Sequence, residues 1–540
     1  MEFSAIERKN RKEKPMKTKL TALLLTLCML LTCLAAVMTA SASTVAELPD
    51  DWKTNVIVAT PDMYPDTDLS KPYTVKIYQV GDKPGDWDKI QASLNEQLAP
   101  FNTSIDTVFM SWADVGTMYS LNLAGGADID LIFTAPWEYM FTEAAKGSFY
   151  EMDADFIAKY MPLSSKYQPA ESWEETKING KNIAVPCGRM APEGRLIGIR
   201  TDLAEKYGIG ELKNWDDFEN FLLTIAEKET PESGILAFGG QENNTAFWEL
   251  WYTNENWFDA YFTNNLRFSF AYNGGLPAAE DIKLAWETDL FRAFCRKMKE
   301  LADAGVWSRS ALNETVNEWQ AFGAGKSASI EWNGTVFTYM KEVEKNEGVT
   351  TAAYDLFKEK GTLVTAEAYS NGDIAIAAGS ANPERAAMVL DLLKFDTGMN
   401  HTVVLGIEGD HYTIDENRIY SETDNTASYL PDGNSLSWAT RNGDVEKAGV
   451  PEREQVVYDE WKRRMTANPL TAFIFDPGPV QAYADAVDSI IGDYYGMLGL
   501  GLVQDADATL DEMLTKCYSA GLQNIYDEMY SQYNTWLANR

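Results

Sequence analysis

Few residues in this chain of 540 are arranged to do covalent or metal chemistry. His401 and His411 are its two histidines, which leaves little basis for His-based catalysis or a His-rich metal site. Cys187, Cys295 and Cys517 lie far apart and form no CxxC or Cys/His cluster, so they read as buried thiols rather than zinc ligands. No HExxH, GxSxG or full EF-hand loop is found. Phe322–Ser327 (FGAGKS) ends like a phosphate loop, but the glycine that loop needs at position 320 is Gln320. The chain therefore reads as having no catalytic residues, no metal and no cofactor. What it has in quantity is aromatic surface, with 16 Trp and 26 Tyr, more flat and polar-tipped area than a core needs and suited to ligand platforms. Asp plus Glu number 81 against 46 Lys plus Arg, a net charge of −35, which repels phosphate backbones and anionic lipid and argues against a nucleic-acid partner.

Such side chains must be carried by elements, and the pattern of elements changes along the chain. The length predicts two to four domains, and 45% apolar residues supply a sizeable core. Tyr73–Val80 alternates as a strand; Trp87–Leu98 places Ile90, Leu94 and Leu98 four apart as a helix. Ser104–Met110 predicts a second strand, Asp114–Leu123 a helix and Asp130–Phe133 a third strand, so this part is α/β with a largely parallel sheet. Ligands gather outside the carboxyl ends of such strands, where the loops Gly81–Asp86 and Thr134–Tyr139 lie. After Pro186 helices dominate: Trp215–Glu227, Asp289–Ala304 and Val316–Ala321, with short strands at Ser329–Trp332 and Ala375–Ala378. Leu510–Leu537 reads as an amphipathic helical hairpin broken at Gly521.

The N-terminus is an address label. Residues 1–19 carry seven Lys or Arg and three Glu, Leu20–Met38 is almost wholly apolar, and Ala40-Ser41-Ala42 is a small-x-small site, so residues 1–42 read as a secretory signal starting at Met1 or Met16. Two other readings stand beside it: an uncleaved anchor, since the apolar run is just long enough to span a bilayer, and a lipoprotein acylated at Cys33, although Thr32 before it and apolar Leu34-Ala35-Ala36 after it depart from that pattern. Residues 43–70, rich in Pro, Asp and Thr, read as a tether.

Three segments resemble the extracellular solute-binding proteins of ABC importers, on the carbohydrate-binding side. They are Asn179–Pro186 followed by Arg195–Leu203, Trp319–Gly334 (WQAFGAGKSASIEWNG), and Ala375–Leu393 with its Asn382-Pro383-Glu384 turn. Gly406–Tyr412, Phe475-Asp476 and Tyr533–Trp536 further resemble the long LplA-like members, which carry an extra C-terminal region. The resemblance implies a two-lobed periplasmic-binding-protein-like α/β fold, each lobe a sheet flanked by helices, with a ligand cleft between. Residues 71–187 plus 375–405 would make lobe 1, and residues 188–374 plus 406–540 lobe 2. The chain would cross between lobes near Val185–Leu196 and near Tyr369–Ile376; Gly188, Gly194, Gly198 and Asn371-Gly372 there either give a hinge its freedom or only make turns.

The same resemblance implies no catalysis, a small-molecule carbohydrate ligand, an ABC permease in the membrane as partner, a monomer, and a place on the extracytoplasmic face of the cell membrane. Sugar CH faces stack on Trp and Tyr, and hydroxyls bond to Asp, Asn and Arg. On that basis Trp137 and Tyr139 would face the cleft from lobe 1, with Asp82 and Trp87 at the first strand–helix loop. Trp248 and Trp251, after Asn243-Asn244, would form a platform on lobe 2, with Trp332 and Asn333 beside it. Arg189, just after the crossing, is a hydroxyl donor or a solvated charge. Each aromatic also has a packing alternative; Trp248 and Trp251 are three apart on a helix, so one of them belongs to the core. Two alternative functions remain at this stage: the same fold binding a peptide or modified sugar, and a secreted glycoside hydrolase, which a Trp-rich acidic chain also suits.

Overall fold

The computed structural model describes residue 53 and residues 55–540, apart from 127, 179, 240–245, 264, 314–315 and 317. The signal segment, Met16, Cys33, and Asn179, Asn243 and Asn244 of the motifs above lie outside the described residues.

The first lobe is built as its alternation dictates. Strand Tyr73–Val80 pairs in parallel with Thr103–Met110 on one side and with Leu131–Thr134 on the other. Asp373–Ile376 returns antiparallel to Leu131–Thr134 as the fourth strand. Helix Trp87–Leu98 buries Ile90, Leu94 and Leu98, the predicted stripe. Helix Pro383–Phe395 starts where the Asn-Pro-Glu turn requires: Asn382 Oδ1 accepts from Arg385 N at 3.0 Å, and Pro383 stands at the first helical position, where a missing N–H costs nothing.

Residues 57–69, read from composition as tether, are bound to this lobe. Tyr64 is buried and its hydroxyl donates to Asp391 at 3.0 Å, Ala59 N donates to Asp396 at 2.8 Å, and Arg385 holds the carbonyl of Asp68. Polar composition concealed a few apolar anchors and backbone groups with partners on helix Pro383–Phe395 and just past its end.

The second lobe centres on the antiparallel sheet Ser329–Trp332, Leu196–Arg200 and Thr351–Tyr354. Its core gathers Leu196, Ile330, Val336, Phe337, Met340 and Trp461. Residues 406–440, expected with this lobe, sit on the first instead: His411 bonds Asp86, Tyr429 stacks on Trp87 at 6.3 Å, and helix Ser435–Thr440 packs on the first sheet. Hydrophobic pattern could show that this segment needed a surface to pack on, but not which lobe offers it.

Three segments cross between the lobes. Val185 and Ile374 exchange backbone hydrogen bonds, Cys187 N donates to Tyr369 O at 2.9 Å, and Pro192–Glu193 pairs with Thr365–Ala366, so the two predicted crossings run side by side. The third leaves helix Ser435–Thr440, where Arg441 O accepts from Gly188 N at 3.0 Å. The buried Lys394 ammonium donates to Pro186 O and Ala439 O at the roots of the first and third crossings. Gly188, Gly194 and Gly198 keep ordinary backbone angles. They are glycine because neighbours stand where a Cβ would be: the Trp461 indole at 2.2 Å for Gly194, Ile330 at 2.7 Å for Gly198 and Asn442 at 3.0 Å for Gly188.

Candidate functional site

The carboxyl ends of the first-lobe strands carry an aromatic cluster. Trp112 follows Met110 and Ser111 at the end of the second strand. Its ring lies 6.2 Å from Trp137, after the third strand, and 6.2 Å from Trp438, with which it stacks at 23°. Phe133 supports both partners from below, at 5.7 Å from Trp137 and 6.0 Å from Trp438. Gly81, with φ +112°, lets the Trp112 indole approach the end of the first strand, and the exposed Asp82 follows it. Trp112 remains 41% exposed, so a large apolar ring is held in place with an open face.

Hydrogen bonds tie this cluster to the crossings. Trp137 Nε1 donates to Asn371 O at 2.9 Å, and Asn371 Nδ2 donates to Glu367 Oε1 at 2.8 Å. Glu367 pairs with Arg441; Arg441 reaches Asp432 at 3.0 Å, and Arg189 reaches the same Asp432 oxygen at 3.3 Å. Trp438 Nε1 donates to Asp432 O at 2.7 Å. Burial would raise the Asp432 carboxyl, but Arg441 and Arg189 hold it below the usual carboxylate range. One residue from each crossing, Arg189, Glu367 and Arg441, thus shares one charge network with the first-lobe indoles.

Toward the second lobe, burial and the nearby Glu367 charge raise the carboxyl of Glu193, which lies close to Arg195 and the Asn333 side chain. Asn333 Oδ1 also shapes its own turn, accepting from Thr335 N at 3.0 Å and from Thr335 Oγ1 at 2.8 Å. The Arg195 guanidinium covers one face of Trp332 at 4.4 Å, and Trp319 packs on that ring at 4.9 Å.

The structure joins Trp137 and Arg189 through one network, with Asp82 on the same rim, and sets Trp332 against Arg195 and Trp319 on the second lobe with Asn333 next to it. Tyr139 lies farther along the rim, its ring stacked on Tyr119 at 5.0 Å and its backbone left-handed at φ 55°. It does not bring in Trp87, 1% exposed, whose ring packs on Phe109 at 5.2 Å and on Tyr429. Trp248, 0% exposed, is enclosed by Tyr252, Trp286, Phe291 and Phe294. Trp251 packs edge-on against Trp215 and Phe294. Trp248 serves the interior of the second lobe, and Trp251 is half-buried against it. Trp112 and Trp438 were missed. For Trp112 the signal was available, since it ends a strand of the same sheet as Trp137; Trp438 gave none, because its helix comes to this site only through tertiary packing.

Asp86, Asp410 and His411 bring potential metal-ligating atoms within 4.8 Å of one another. The Lys89 ammonium, however, lies 2.8 Å from Asp86 and 3.6 Å from Asp410, and Asn425 donates to both. His411 Nδ1 accepts from Ile407 N, so Nε2 carries the proton and donates to Asp86 at 3.2 Å. These groups are matched with one another and act as a clasp between helix Trp87–Leu98 and residues 406–428.

Glu175 lies beneath the second crossing, and burial lifts its carboxyl to about 7, although Ser370 N donates to it at 2.9 Å. The folded protein therefore binds a proton here between the ordinary value of 4.5 and about 7, where the unfolded chain has released it. The stability this group contributes is full below that ordinary value and is lost as pH rises through about 7. Glu175→Gln should accordingly melt closer to the wild type at pH 5 than at pH 8, with the variant gaining at pH 8. A constant offset at both pH values would exclude this titration.

Residues 87–398 match the family described as bacterial extracellular solute-binding protein, and the chain belongs to that family. Residues 469–538 match a domain of unknown function. A carbohydrate ABC transporter substrate-binding protein of Streptococcus pneumoniae serotype 4 is 22% identical over 479 residues, 86% of this chain and 91% of that protein. The fold is also that of the N-glycan transport solute binding protein NgtS of S. pneumoniae, solved in complex with Man1GlcNAc (TM-score 0.68, 18% identity, 87% of this chain and 100% of that chain). It is shared by the alginate-binding protein AlgQ2 (TM-score 0.66, 16% identity, 87% and 99%). Among the described residues no helix is long and apolar enough to cross a membrane.

Proposed function

We propose that this protein is an extracytoplasmic receptor that binds a carbohydrate, an oligosaccharide, between its lobes and delivers it to an ABC permease. The observation that carries this reading is the Trp112–Trp137–Trp438 cluster at the carboxyl ends of the first-lobe strands. An open indole face there suits the CH face of a sugar ring, and the adjoining arginines and carboxylates suit its hydroxyls. The carbohydrate transport protein and the glycan-bound NgtS among its relatives support the same reading. The carboxylates beside the indoles, Asp432 and Glu367, are engaged by arginines, which suits binding rather than paired-carboxylate hydrolysis. Residues 1–42 act as its secretory signal, and the receptor works as a monomer. Ligand favours the closed arrangement, because it can contact both walls only there.

Titration of intrinsic tryptophan fluorescence with a panel of oligosaccharides tests the proposal. A saturable, stoichiometric change with the sugar recovered unaltered is expected. Release of new reducing ends would establish a hydrolase, and no response to any glycan would end the carbohydrate reading.

A further inference from the structure

The geometry points to a binding role for residues 469–538, the region that matches a domain of unknown function: its first long helix builds one wall of an interlobe pocket that takes an uncharged saccharide unit. This inference rests on the proposed carbohydrate function and narrows it to neutral glycans.

The region is held rigidly by the second lobe. Tyr495 packs on Trp286 at 4.6 Å, and the Tyr526 hydroxyl bonds Glu287 at 2.6 Å and Leu284 N at 2.6 Å. Asp488, on helix Gln481–Gly499, accepts from Thr263 Oγ1, Asn265 N, Asn265 Nδ2 and Leu266 N, all within 3.3 Å. These bonds fix the helix against the loop that faces the first lobe. Across the gap, Phe141 of the first lobe touches Tyr261 of the second at 5.2 Å. Beside that contact is a cavity of about 120 Å³, with Pro136 and Tyr139 on one side and Tyr261, Gln481 and Asp485 on the other. Its size is close to the ~150 Å³ that houses one benzene-sized ring.

The lining has the chemistry of a hydroxyl site. Gln481, which lines the cavity, donates from Nε2 to Asp485 Oδ1 at 2.7 Å, which leaves its Oε1 as the remaining acceptor. That oxygen is buried and has no hydrogen-bond partner. A buried acceptor without a donor costs free energy, and a ligand hydroxyl supplies the donor. The Tyr139 backbone is held left-handed at φ 55°, a strained conformation for a non-glycine residue that concentrates at ligand clamps. Every charged residue lining the cavity is an aspartate, Asp485 or Asp488. With no Lys or Arg among the described lining residues, a carboxylated, sulfated or phosphorylated sugar meets repulsion, while a neutral one does not.

Calorimetric titration of the secreted chain tests this with a neutral manno- or gluco-oligosaccharide ladder and with an oligouronate of matching length. Gln481 and Asp485 lie at the surface end of the helix, so Gln481→Ala and Asp485→Ala should keep the wild-type melting temperature. Each is expected to weaken the longer neutral ligands about tenfold and to leave the shortest binding ligand unchanged. Asp485→Lys is expected to narrow the preference for neutral over uronic ligands. Unchanged affinity at every length in the alanine variants, with normal wild-type binding, overturns this inference alone. A wild type that prefers the oligouronate overturns it as well. A wild type that binds no glycan overturns both this inference and the function on which it rests.

Discussion

Trp112→Ala should lose about 2 kcal/mol of glycan affinity, roughly thirtyfold in Kd, with almost no change in melting temperature. The indole is exposed on one face and braced on the other by Trp137 and Trp438. A stacked sugar would exclude water from that face, while the free protein gains little by covering it. Trp248→Ala provides the opposite case. Its ring is fully enclosed, so truncation should cost about 3–5 kcal/mol of folding stability through a cavity and lost contacts. Affinity of the folded fraction should stay unchanged. Trp137 falls between the two, because its Nε1–H also anchors Asn371 of the second crossing. Calorimetry and thermal melting of the three variants check the order; a Trp112→Ala protein with wild-type Kd would exclude the cluster as the binding platform.

Arg441→Ala is expected to destabilise the fold by about 3–5 kcal/mol, because removing one partner leaves two nearby carboxylates without their counter-charge. Arg441 bonds Asp432 of the first lobe and Glu367 of the second crossing, and its carbonyl accepts from Gly188 of the first. Arg189 can still neutralise part of Asp432 from 3.3 Å, but among the described residues the Glu367 carboxylate keeps only the neutral Asn371 amide. Glu367→Gln in the Arg441→Ala background should therefore recover part of the loss. Urea denaturation of the single and double variants measures this. Equal loss in both would mean that Arg441 contributes packing rather than charge.

Much of the scaffold was legible because it depends on local rules. Strand Tyr73–Val80 and helix Trp87–Leu98 follow from alternation and a four-residue stripe, and both stand at their expected residues. The helix after Asn382-Pro383 begins at its side-chain cap, and the C-terminal hairpin breaks at Gly521, whose φ of +107° a side chain would resist. The place of Trp137 at the rim of the first sheet was visible too, since it follows the end of a sheet strand, where loops open towards ligands in such folds.

The sequence by itself determined the alternating first lobe, the turn and cap positions, and the dearth of motifs for covalent chemistry. Tertiary structure decided which aromatic rings are walls and which are core. Helical spacing places Trp248 and Trp251 on a helix, and spacing is the same whether that surface meets solvent or Phe291 and Phe294. Trp87 likewise begins a helix beside the cleft, yet Phe109 and Tyr429 close over it. Trp438 joins Trp112 only because residues 406–440 fold back onto the first lobe, a contact between segments hundreds of positions apart. The charge network of Arg189, Glu367, Asp432 and Arg441 is of the same kind. Its members come from three separate crossings and, for Asp432, from the first lobe, and what selects them is the partly buried space where those segments meet, a property of the assembled chain and not of any one stretch of it.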